Sequence, residues 1–473
     1  MSRNFESDRL KKIRNYDLRK DLDIAKEYAW EYLNNIHKRS VYPNQVDIDN
    51  IQEFSEELNE EPSSPTEIIK KLHKYGSPAT VAQNSGRYFG FVCGAMLPSS
   101  IPAKWLADVW DQNPAIYVMS PTVSKIESIV EGWLIDLFKF NKECTIGYVG
   151  GSATATFAGL VTARNYLLSK KGYDPFNRGI TDLPKVKVVV GEGVHSTVFK
   201  ALSLSGMGYD NVIRVPMDQE GRMIFSELPE LDDMTIVVAQ AGHLSTGAFD
   251  PIKEICEKAQ KAGAWVHVDG AFGLWARVDK RFNHLTVGLE LADSWSVDGH
   301  KTLNAPYDNG MIICKHSKLL LDAMNVEGSY IIRSKFRDGM LFTPEMSRRA
   351  RVIDLWSSLK GLGKNGLGDM IYEMHAKAKY FAQRLNDLGF EIMNEIHFNQ
   401  IIVHYSSNDE TLKLIELIQK SGVMWLGGSK WQGKNIIRIS ISSYKTTYED
   451  IDMCIDDFES QMMQLLFSGN QNV

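Results

Sequence analysis

Ser294-Trp-Ser-Val-Asp-Gly-His-Lys301 ends an apolar run at Val297 and turns through Asp298, Gly299 and His300 onto a lysine. An amine held at such an edge gives up its proton readily and attacks carbonyl carbon. A plain surface lysine is the bland alternative, but it leaves the adjoining His300 unexplained. Trp265-Val-His-Val-Asp269 repeats the arrangement with a carboxylate, followed by Gly270, Ala271 and Phe272. A half-buried Asp needs a cation or hydrogen bonds. A protonated pyridine nitrogen is one such cation, and the pairing keeps that ring able to take up electrons. Capping of a turn is the alternative for Asp269.

Two further stretches sit at equivalent places. Gly147-Tyr-Val-Gly150-Gly-Ser152-Ala-Thr-Ala-Thr156 runs from a strand through a glycine turn into a helix, so the free N–H groups at residues 152–154 converge on a phosphate cradle. No Lys follows the glycines, and the spacing is not that of a dinucleotide fingerprint. Gly193-Val-His195 follows the run Val186–Val190, where a flat imidazole suits stacking on a planar cofactor. A structural role explains any one of these residues, but four independent coincidences at strand ends are needed to explain them all.

The elements that carry them alternate. Short apolar runs at Thr145–Val149, Val186–Val190, Thr235–Ala239, Trp265–Val268, Ser294–Val297 and Met311–Cys314 are separated by helix-length segments. Those segments are Ser124–Phe138, Ala153–Ser169 and Pro251–Ala262. The pattern predicts an α/β fold with a mostly parallel sheet covered on both faces, and ligands beyond the carboxyl ends of its strands. After Pro344 a helix is expected over Ser347–Lys360, ended by Gly361 and Gly363, then strands near Gln400–His404 and Ile436–Ser440 and a helix near Thr447–Leu466. The domains read as a helical arm over 1–80, a large domain over 81–345 and a smaller α+β domain over 346–473. In the arm, Ile24, Tyr28, Ala29, Tyr32 and Leu33 form an apolar stripe that needs a partner.

Composition narrows the partners. Fifty-three basic against 59 acidic residues give a net charge of −6, with no long basic run, so no nucleic acid is expected. The five cysteines lie far apart, which predicts neither disulfides nor a metal site and suits a cytoplasmic setting. No stretch reaches the length of a membrane span.

In combination these motifs resemble the group II pyridoxal-phosphate-dependent amino-acid decarboxylases, from about Tyr42 to Thr447. The likeness includes Arg87-Tyr-Phe-Gly-Phe, Trp110-Asp-Gln-Asn113, Gly242-His-Leu-Ser-Thr246-Gly-Ala-Phe-Asp250-Pro, His267-Val-Asp-Gly-Ala, Asp298-Gly-His-Lys and Ser347-Arg-Arg-Ala-Arg. The resemblance implies the fold-type-I aminotransferase-like architecture with a seven-stranded-type sheet, a homodimer, and decarboxylation of an L-amino acid to its amine. It implies that Lys301 forms the Schiff base to pyridoxal 5′-phosphate, Asp269 partners the ring nitrogen, and His195 stacks on the ring. Ser152 and Ala153 then form the phosphate-binding pair with His300 nearby, Asp298 is a further cofactor-binding residue, and Thr246 and Ala271 flank the ring.

One departure stands out. The aromatic amino-acid enzymes carry a reprotonating tyrosine on a mobile loop, and the corresponding stretch here, Ser334–Thr343, has none; Tyr330 precedes it. His195 is then the expected proton donor. The alternatives are an aldehyde-forming oxidative decarboxylase, a C–C lyase on the same fold and, more distantly, a non-catalytic cofactor-binding protein.

Overall fold

The computed structural model describes residues 7–210, 212–325 and 335–469. Its central sheet contains β1 (Thr145–Val149), β2 (Lys187–Gly191), β3 (Ile213–Val215), β4 (Thr235–Gln240), β5 (Trp265–Asp269), β6 (Ser294–Asp298) and β7 (Gly310–Cys314). The order across the sheet is β1-β7-β6-β5-β4-β2-β3. Strand β7 runs antiparallel to both β1 and β6, whereas the β6-β5-β4-β2-β3 block is parallel.

The continuous apolar runs follow from burial on two faces. Along β4, Val237 and Ala239 enter one hydrophobic core while Ile236 and Val238 enter another. Side chains alternate sides along a strand, so both sets must be apolar when helices cover both faces. Helix Ser152–Lys170 packs over β5, β6 and β7, and Pro121–Leu137 and Val352–Asp387 contribute to the opposite core.

A second, antiparallel sheet holds β8 (Glu391–Ile392), β9 (Gln400–His404), β10 (Gly427–Trp431) and β11 (Lys434–Ser440), in the order β10-β11-β9-β8. Its Ile401, Val403, Ile437 and Ile439 join the same core as one face of the central sheet.

Two expectations need correction. The helix after Pro344 begins at Val352, because residues 343–351 are tied down through their arginines instead, and it does not stop at Gly361. Gly363 adopts φ 63° and ψ 177°, which breaks the helical path at that point, and helix resumes to Asp387. A residue with no Cβ tolerates that conformation. The first 80 residues include helices Asp8–Arg14, Arg19–Asn35, Gln45–Asp49 and Pro65–Lys71, and the stripe of Tyr28, Ala29, Tyr32 and Leu33 is only half-buried. Among the described residues, no helix is long and apolar enough to cross a membrane.

Candidate active site

Parallel pairing brings several of the proposed residues to one edge. Gln240, at the end of β4, is in register with Asp269 at the end of β5, and Asp269 is in register with Ser296, two residues before the end of β6. Beyond these ends lies a cavity of about 490 Å³ lined by Ser152, Ala153, His195, Asp269, Ala271, Asp298, His300 and Lys301. All the proposed residues except Thr246 therefore meet in one place. Thr246 is fully buried and does not line the cavity; its hydroxyl donates to the Glu220 carbonyl at 2.6 Å and accepts Ala248 N–H at 3.2 Å, so it braces its own turn.

Lys301 extends from the turn after β6, its Nζ 3.0 Å from Asp298 Oδ2. That turn is held from behind: Gly94 N–H donates to the His300 carbonyl, and a Cβ on Gly94 would stand 2.1 Å from the Lys301 carbonyl oxygen, so only glycine allows this approach. Asp298 also accepts Ser152 N–H at 2.6 Å and Ser152 Oγ–H at 2.8 Å. Burial works to raise its pKa, but Lys301, His300 and Ser152 together hold it below the usual carboxylate value. The expectation of free N–H groups across 152–154 is corrected here. Asp298 takes the first, while those of Ala153 and Thr154 have no acceptor among the described residues.

Asp269 is deeply buried, its Oδ1 accepting Ala271 N–H at 3.2 Å and Ser296 Oγ–H at 3.4 Å. Burial raises its pKa, opposed by the charges of Lys301 and His195. His195 caps helix Ser196–Leu204: Thr197 N–H donates to its Nδ1 at 3.2 Å. In the neutral ring the proton therefore sits on Nε2. Burial favours that neutral form by lowering the pKa. His300 stacks on Tyr307 with ring centroids 4.3 Å apart, and its Nδ1 accepts Asn309 N–H.

Sequence reasoning missed part of the lining. Arg438 of β11 reaches the cavity, its side chain with no ion-pair or hydrogen-bond partner among the described residues; burial lowers its pKa. Its signal was an arginine set among Ile436, Ile437 and Ile439, but nothing local says which cavity it faces. Gln240, Gly242, Leu244, Thr197 and Phe272 were missed too. Phe91 and Val92 line the cavity at φ 54° and 56°, a backbone region costly for side chains of their kind. Phe91 stacks on Trp425 at 5.3 Å.

The described part of the stretch expected to correspond to the mobile loop is pinned. From Lys335 to Thr343 it is fixed by Arg337, buried against Glu127 and Glu131, by Ser124 Oγ–H donating to the Arg337 carbonyl, and by Met340 N–H donating to the Ala115 carbonyl. Ser334 and Tyr330 lie outside the described residues.

The chain is matched over residues 49–406 by the family described as the pyridoxal-dependent decarboxylase conserved domain, and it belongs to that family. Its function is accordingly pyridoxal-phosphate-dependent decarboxylation of an amino acid. Acidic amino acid decarboxylase GADL1 of Mus musculus is 25% identical over 413 residues, covering 80% of this chain and 74% of that protein. Phenylacetaldehyde synthase of Petunia hybrida is 25% identical over 480 residues, covering 92% of each. Among solved structures, Oryza sativa TDC with PLP and tryptamine superimposes with a TM-score of 0.86 at 20% identity, over 98% of this chain and all of that one. That likeness shows the fold.

The donor set fits the cofactor. A lysine amine, a buried carboxylate short of a full counter-charge and a helix amino-terminus with unpaired N–H groups surround one cavity. They suit an aldehyde, a pyridinium nitrogen and a phosphate in turn.

Proposed function

We propose that this cavity decarboxylates an L-amino acid with an apolar or aromatic side chain, giving the amine and carbon dioxide. The observation that carries the reading is that Lys301, Asp269 and the unpartnered Arg438 share one enclosure. Lys301 holds pyridoxal phosphate, Asp269 holds its ring nitrogen, and His195 and Ala271 flank it. Ser152 and Ala153 border the phosphate with His300 nearby, and Asp298 holds the Lys301 amine. When bound, the cofactor supplies the electron sink for the bond that breaks. Arg438 draws in the substrate carboxylate by charge-assisted hydrogen bonding. Phe91, Val92, Leu244 and Phe272 give the side chain an apolar wall and thin the water around the departing carboxylate. His195 takes up a proton to become the imidazolium, gives it from Nε2 to the α-carbon and is left neutral.

The aldehyde-forming reading has its own support. No tyrosine stands in residues 335–343, and a relative named phenylacetaldehyde synthase matches most of the chain. The deciding experiment incubates the enzyme with single amino acids in air and follows carbon dioxide, amine, aldehyde and peroxide. Amine in step with carbon dioxide supports our reading. Aldehyde and peroxide in step with it overturn the product, and turnover confined to substrates with a second carboxylate overturns the substrate class.

The arm (1–80), large (81–345) and small (346–473) segments work in this reading as parts of a cytoplasmic homodimer. The half-buried stripe at Tyr28 and Leu33 and the exposed Trp105, Val109 and Trp110 suit a second copy of the chain. Five buried thiols suit a reducing compartment. A monodisperse active monomer in solution scattering overturns the dimer.

A further inference from the structure

Strand β6 carries a polar stripe through the middle of the sheet. Ser294, Ser296 and Asp298 alternate with Trp295 and Val297, and all five are at most 1% exposed. A strand covered on both faces gains nothing from three polar side chains unless each finds a partner. Ser294 Oγ accepts Trp265 Nε1–H at 3.0 Å and pairs with His267 Nδ1 at 2.8 Å. Asp298 holds Ser152 and Lys301.

Between them, Ser296 points two ways. Its hydroxyl donates to Asp269 Oδ1 at 3.4 Å and accepts the hydroxyl of Thr156 at 3.0 Å. The first contact is set by strand register, since Ser296 is the Cα partner of Asp269. The second is a choice. A helical threonine ordinarily returns its hydroxyl to a carbonyl one turn back. In the same helix Thr162 does so, donating to the Ala158 carbonyl at 2.8 Å. Thr156 sends its hydroxyl across to the sheet instead.

Both donors to Asp269, Ser296 Oγ–H and Ala271 N–H, engage Oδ1. Oδ2 has no donor among the described residues. One oxygen is thus anchored from behind while the other stays available to the cavity.

We propose that Thr156 and Ser296 form a buried hydroxyl relay that positions the Asp269 carboxylate for the cofactor's ring nitrogen. The inference rests on the assignment of Asp269 made above. Both are positioning residues, since neither lines the cavity. The relay polarises toward the carboxylate, each hydroxyl strengthening the next. It also favours the ionised form, in which burial and Asp298 oppose Asp269 while Lys301 and His195 support it.

The test uses the full chain, stripped of cofactor and titrated with pyridoxal phosphate by tryptophan fluorescence across a pH series. Wild type is compared with Ser296→Ala, Thr156→Val, Thr156→Ser, Asp269→Asn and the Asp269→Asn/Ser296→Ala double variant. Losing a hydrogen bond to a charged group should weaken cofactor binding about ten-fold in Ser296→Ala. The acid limb of its affinity profile should move to higher pH, because a carboxylate without that donor holds its proton longer. Thr156→Val should shift both readouts in the same direction but less, and Thr156→Ser, which keeps the hydroxyl, should match wild type. In the Asp269→Asn background Ser296→Ala should add nothing. If Ser296→Ala does not fold, the contrast between Thr156→Val and Thr156→Ser decides the matter. Wild-type affinity and pH profile in Ser296→Ala and Thr156→Val, beside a crippled Asp269→Asn, overturn the relay alone. So does a full Ser296→Ala effect in the Asp269→Asn background. An Asp269→Asn variant that binds as wild type overturns the Asp269 assignment, and the relay with it.

Discussion

The Arg337 guanidinium meets the Glu127 carboxylate at 3.0 Å with both side chains almost wholly withdrawn from water. Arg348 holds the other Glu127 oxygen at 2.7 Å, and Arg337 also reaches Glu131 at 2.9 Å. The pairing welds residues 335–343 to helix Pro121–Leu137. A segment so fixed cannot swing a side chain into the cavity, and none of residues 335–343 lines it.

Breaking such a pair leaves a buried charge without its partner. Arg337→Met should cost about 3 kcal/mol or more in urea unfolding, less only as far as Arg348 compensates Glu127. A change under about 0.5 kcal/mol, the range of ordinary surface substitutions, would show that this cluster fixes nothing.

Arg438→Met removes the cavity's unpartnered cation while keeping an unbranched apolar stem. The KM for the preferred amino acid should rise about ten-fold or more, the size of a charge-assisted hydrogen bond, with a smaller change in cofactor affinity. An unchanged KM would place the substrate carboxylate elsewhere.

How far the site was readable in the chain follows from where each part lies. Lys301, Asp269 and His195 stand at the ends of apolar runs, and in a parallel sheet those ends share one edge, so local pattern was enough. Arg438 was not readable, because its strand reaches the cavity from a second sheet more than 100 residues further along the chain. Thr246 lies buried beside its own turn and off the lining, a difference that sequence does not show because a buried turn hydroxyl and a cofactor contact look alike there. Three-residue β3 and glycine-led β10 carry too little hydrophobic pattern to show. Gly361 looked like a terminator, yet the helix passes through it, since packing against the core outweighs glycine's weak helical preference.

Acid should destabilise the fold. Burial lowers His243 to about 4 and His267 to about 3. As pH falls below about 6.5 the unfolded chain takes up these protons before the folded one does, so stability drops. Asp250 acts oppositely: burial raises it to about 6, so the folded chain takes its proton first and gains stability as pH falls through that value. Two histidines outweigh one aspartate, for a net loss of roughly 2–3 kcal/mol between about pH 7 and about pH 5. Urea unfolding at the two pH values checks this, and equal or greater stability at the lower one would contradict it.

Covalent mapping shows whether Lys301 carries the cofactor. The loaded enzyme is reduced with borohydride, digested and analysed by mass spectrometry. A pyridoxyl group is expected on the peptide containing Asp298-Gly-His-Lys301, and none on any peptide of a Lys301→Ala variant. A pyridoxyl group fixed on a different lysine, or no covalent label on a protein that still decarboxylates amino acids, would contradict it.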